Sequence, residues 1–133
     1  MLVEAKAHEA ELDAKCKAEN PTSLDTITRR LSETFASFGG EPDQWTRVKA
    51  LWLGRGYQIA NRLACLRFLL ENHQQARLVF VCFLGDKVPG KKCPTSPARW
   101  CEVLDGVHSS MGLPTKHDLN RQIHYIYPPV VGP

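Results

Sequence analysis

Seven consecutive apolar residues, Leu78, Val79, Phe80, Val81, Cys82, Phe83 and Leu84, admit few environments. The run is too short for a buried helix and rich in β-branched and aromatic side chains, so it reads as a strand over residues 77–84. A strand sends alternate side chains to opposite faces, and here both sets are apolar. That pattern predicts a strand covered on both sides, as in a parallel sheet flanked by helices.

The rest of the chain supplies helices on either side of this strand. Asn20, Pro21, Thr22 and Ser23 mark a loop, with Ser23 as the expected cap of a helix whose apolar positions are Leu24, Ile27, Leu31, Phe35 and Phe38. Gly39 and Gly40 end it. A second helical region follows Pro42 and Asp43, with Trp45, Val48, Leu51 and Trp52 in period, and Gly54 and Gly56 interrupt it. Residues 57–72 continue with Ile59, Leu63, Leu66 and Leu70 as a buried stripe; Gln58, Asn61 and Arg62 cluster off that stripe. After the central strand, Thr95 or Ser96 caps a helix starting near Pro97 and carrying Trp100, Val103, Leu104, Val107 and Met111, with Gly112 closing it. Residues 2–7 and 122–127 are the first and last strands. Strands separated by helices require crossovers, so the expected class is α/β with a mainly parallel or mixed sheet.

At 133 residues the chain fits a single domain spanning 1–133. No apolar run reaches membrane-span length. Glu4, Lys6 and Glu9 leave no signal-peptide apolar region in the first ten positions, which points to the cytoplasm. The five cysteines (Cys16, Cys65, Cys82, Cys93 and Cys101) contain no C-x-x-C pair and read as reduced structural thiols. A zinc site from Cys93, Cys101, His108 and His117 would have spacings unlike the usual zinc patterns.

Chemistry concentrates at the N-terminus. On a strand over residues 2–7, Glu4 and Lys6 share one face, with His8 in the same phase; Val3, Ala5 and Ala7 share the other. A carboxylate beside an ammonium can hold a divalent metal and a phosphate together, as phosphodiester cleavage requires. The Glu-x-Lys pattern alone is weak, and Asp13 and Lys15 repeat it in a stretch without strand character. A solvated charge pair on an edge strand is the alternative.

The Glu4-x-Lys6 strand, the helix carrying Tyr57, Gln58, Asn61 and Arg62, and the strand through Leu84 to Gly85 and Asp86, in this order, resemble a bacterial branch of the PD-(D/E)XK, or restriction-endonuclease-like, superfamily. The resemblance implies a three-layer α/β/α core. It implies that Glu4 is the metal-binding carboxylate, Lys6 the catalytic lysine and Gln58 the polar residue brought to the site by the following helix. Arg62, Asn61 and His8 would contact substrate, magnesium would be the cofactor, and DNA the partner. The net charge of +3 is compatible with DNA. Asp86 follows a buried strand at its C-terminal end, where ligands gather in open α/β sheets, although a turn residue is its plainer role.

The family's signature begins with an Asp on the strand before the Glu-x-Lys strand. Only Met1, Leu2 and Val3 precede Glu4. The expectation is therefore a core lacking its first helix and its Asp-bearing strand. It arises from a start lying upstream, from a fragment, or from a decayed nuclease. Weak or absent activity is expected, as is self-association through the unpaired edge of residues 2–7. A non-catalytic remnant binding nucleic acid or protein is the alternative.

Overall fold

The computed structural model describes residues 1–73 and 75–132. The chain begins with β1 (Leu2–Lys6) and a 3₁₀ turn at Glu9–Leu12. Three helices follow: α1 (Pro21–Ser37), α2 (Trp45–Leu53) and α3 (Tyr57–Asn72). Then come β2 (Leu78–Cys82), α4 (Pro97–Ser110), a 3₁₀ turn at Asp118–Gln122 and β3 (Ile123–Ile126). The expected alternation of strands and helical regions holds with ends moved by one or a few residues, but the second helical region before β2 is two helices, α2 and α3, separated at Gly54–Gly56.

The caps explain the moved ends. Asn20, not Ser23, caps α1: its Oδ1 accepts from the backbone N–H groups of Thr22 and Ser23, with Pro21 in the first turn. Ser96 caps α4 by accepting from the Arg99 N–H at 3.2 Å. Gly39 and Gly112 close α1 and α4 with φ of +86° and +72°, a left-handed backbone that a side chain would strain.

The strands form a parallel sheet in the order β1-β2-β3. This order determines the layers. Both crossovers step the same way across the sheet, and right-handed connections then lay every crossover helix on one face. The covered face carries Glu4 and Lys6 from β1, Leu78, Phe80 and Cys82 from β2, and Ile123 and Tyr125 from β3. It packs on a core built around Trp52, Trp100, Phe35, Leu63, Leu66 and Met111. The two tryptophans are fully buried, and their indole N–H groups donate to the carbonyls of Met111 and Phe83, both at 2.9 Å.

The opposite face corrects the expectation of a doubly covered strand. Val3 and Ile126 are 53% and 50% exposed, Ala5 and His124 are also exposed, and Val79, Val81 and Phe83 are only half-buried. The described residues thus make two layers, a parallel sheet with its helices on one side. An all-apolar run overstated the burial of its second face because half-covered valines and fully covered ones look alike in sequence.

Candidate functional site

Register places Glu4 beside Phe80 and Lys6 beside Cys82, on the covered face. Glu4 is 7% exposed and Lys6 3%, so the alternative of a solvated charge pair does not hold. Charges in such a place are tolerated only when paired and hydrogen-bonded. The Lys6 ammonium donates to Glu4 Oε1. Across the layer, α3 presents Gln58 and Arg62 one turn apart. Gln58 Nε2 donates to the same Oε1 at 2.8 Å, and Arg62 Nε donates to Oε2. Burial pushes the Glu4 carboxyl upward, but the hydrogen bonds and charges of Lys6 and Arg62 outweigh it, leaving the group below the ordinary carboxylate range. Arg62 reaches solvent, with its side chain 34% exposed, and Gln58 is half-buried.

The four residues Glu4, Lys6, Gln58 and Arg62 therefore meet, from elements more than fifty positions apart. The other expected site residues do not join them. Asn61 is half-buried on α3 and is not among the donors to Glu4. His8 lies past the end of β1, its Nε2 3.9 Å from Glu11 Oε1 and its Nδ1 buried without a partner. Asp86 accepts from the Lys87 N–H at 2.8 Å, the turn role. Asp13, from the second Glu-x-Lys-like match, faces Arg55 at 3.4 Å on the surface. Cys101 Sγ contacts the Tyr127 hydroxyl at 3.2 Å, and Cys93 contacts the Lys91 carbonyl. Among the described residues, no zinc-like group of these cysteines and histidines forms.

Glu11 was missed by the sequence reading. Its carboxylate accepts from the Ala7 and His8 N–H groups and so ends β1 and starts the 3₁₀ turn. The signal was present as a polar residue at position 8 followed three places later by Glu, the spacing of a capping box.

Magnesium fits this donor set poorly. It takes oxygen ligands in an octahedron, commonly from one or two carboxylates plus water and phosphate. Glu4 is the sole carboxylate in the cluster, its oxygens are engaged by Lys6, Gln58 and Arg62, and no group of three acidic, His or Cys side chains gathers among the described residues. What the cluster offers is one carboxylate against two cations, a surplus of positive charge with hydrogen-bond donors already oriented. That suits a phosphate oxygen better than a bare metal ion.

The chain matches no protein-family model, no curated protein and no solved structure. The class defined so far is that of a mixed α/β domain with, among the described residues, four helices, a three-stranded parallel sheet and a partly buried Glu-Lys-Gln-Arg cluster.

Proposed function

We propose that this chain is part of a nuclease-like domain of the PD-(D/E)XK type that engages the phosphodiester backbone of DNA and has little or no cleavage activity as residues 1–133. The observation that carries the reading is the convergence of Gln58 and Arg62 from α3 on a Glu-x-Lys pair of β1. A structural ion pair needs one cation. Here a carboxylate is held by two cations and an amide, the set of polar groups that phosphodiester chemistry uses to position charge. In this reading the sheet is the kernel of a three-layer α/β/α core, and the exposed face bearing Val3 and Ile126 is where a second helical layer belongs.

The test combines binding and turnover. Fluorescence anisotropy with a short DNA duplex should show salt-dependent binding that weakens in Arg62→Ala. Incubation with magnesium should leave the duplex largely intact. Absence of binding at low salt would overturn the reading. Robust cleavage abolished by Glu4→Gln would instead reveal a further metal ligand. A second reading, a non-catalytic remnant of the same fold that binds nucleic acid or protein, is favoured on its protein side by the free outer edge of β1; DNA binding that persists in Arg62→Ala without cleavage would support the nucleic-acid form, and no DNA binding the protein form.

A further inference from the structure

The Glu4 cluster holds one cation more than its carboxylate needs. Lys6 lies on Glu4 Oε1 in a place closed to water, so the charges of these two cancel there. What remains is the charge of Arg62, the cation of the cluster that reaches solvent. An arginine paired with a lone glutamate would leave no net charge. The buried lysine restores it.

Arg62 is held at one corner. A guanidinium carries five N–H donors in a flat fork. Its Nε–H goes to Glu4 Oε2. Among the described residues neither Nη group makes a hydrogen bond, and neither is sealed from solvent. The edge formed by the two Nη groups is therefore free to meet two oxygens of one phosphate, the bidentate pairing that suits arginine.

The same hydrogen bonds close Glu4 to a metal. Oε1 accepts from Lys6 and Gln58, and Oε2 accepts from Arg62. A magnesium ion at either oxygen would lie against a cation and would have to displace donors from a buried group.

We infer that Glu4 is a positioning residue and not a metal ligand: it anchors Arg62 through Nε so that the guanidinium engages a DNA backbone phosphate with no divalent metal between them. This rests on the reading above that DNA is the partner, and it reverses the role that the resemblance implies for Glu4. Lys6 then serves to cancel the Glu4 charge, which would otherwise repel the phosphate.

The test is fluorescence anisotropy of the full chain with a short DNA duplex, at matched ionic strength, in EDTA and in magnesium. Binding in EDTA should be at least as tight as in magnesium. Glu4→Gln separates orientation from charge. Its single amide oxygen should turn to Lys6, the cation that cannot reach water, and leave an amide N–H facing Arg62. The variant loses a negative charge, so attraction by charge alone would tighten DNA binding. Loss of the anchor should instead weaken it by roughly threefold or more, the cost of ordering one long side chain on binding. Arg62→Lys keeps the charge and loses the fork, and should weaken binding roughly tenfold. Thermal melts check that each variant is folded at the assay temperature; if Glu4→Gln is not, Arg62→Lys carries the comparison. Manganese, followed by its EPR signal, should stay free in the presence of the natural chain up to millimolar concentration. Binding that appears only with magnesium would overturn the inference and leave the reading above standing. So would tighter or unchanged binding by folded Glu4→Gln, unchanged binding by Arg62→Lys, or a saturable manganese site that Glu4→Gln abolishes. No binding of DNA at low salt would remove both.

Discussion

Glu4 is the residue on which stability and proposed function converge. Its carboxylate neutralises Lys6 in a place that excludes water, so Glu4→Ala leaves a buried ammonium without its partner. Breaking such a pair costs about 3–5 kcal/mol, and chemical denaturation should show a loss of that size. The pH dependence has a definite sign. The folded carboxyl is held below its unfolded value of roughly 4.3. Its contribution is thus fully present above that value and is lost as pH falls through the folded one. Denaturation midpoints between pH 6 and about 3 should drop less steeply in Glu4→Gln than in the natural chain. Equal slopes would mean that the pairing with Lys6 and Arg62 contributes nothing to the acid transition. Cys82, the register neighbour of Lys6, has its thiol pushed up to about 11 chiefly by burial, as befits a core residue with no reactive role.

At the scale of elements, the crossover helices are set by caps as much as by their apolar stripes. Asn20 accepts two N–H groups at the start of α1, and Ser23 lies inside the helix it was expected to cap. Asn20→Ala should destabilise the protein by about 1 kcal/mol, while Ser23→Ala should change stability little. Paired thermal melts decide the matter, and the reverse ranking would move the helix start. The same argument applies to the placement of Gln58 and Arg62. They reach Glu4 because α3 runs from Tyr57 and packs Ile59, Leu63 and Leu66 inward. Gly56 makes the junction with α2 close: a Cβ there would lie 3.2 Å from the Leu51 carbonyl oxygen and 3.0 Å from Met111 Sδ, so a side chain at this position would press on both.

For the whole molecule, the sheet order has a consequence for association. β1 is an edge strand whose even positions face β2; the Leu2 N–H donates to the Arg77 carbonyl and the Lys6 carbonyl accepts from Phe83. In a parallel ladder the alternate residues, Val3 and Ala5, then turn their N–H and C=O groups outward. Both side chains are exposed as well. An edge of this kind invites pairing with another chain, and no charged side chain on its exposed face discourages it. Sedimentation should show concentration-dependent self-association that Val3→Lys reduces. A strictly monomeric chain across the micromolar to millimolar range would show that the edge is protected by its own twist or shortness.

The elements and the two halves of the candidate cluster were legible in the sequence for a physical reason, since each depends on local period; that the halves meet was expected only from the resemblance. A spacing of two puts Glu4 and Lys6 on one face of a strand, and a spacing of four puts Gln58 and Arg62 on one face of a helix. Burial was not legible. Whether Glu4 faces solvent or core depends on which side of the sheet the crossovers occupy, and that follows from strand order and handedness, which no local pattern encodes. The same long-range choice left Val3 and Ile126 uncovered. The sequence by itself determined which side chains travel together on each element; only the tertiary structure decided which of those faces meet and which remain open.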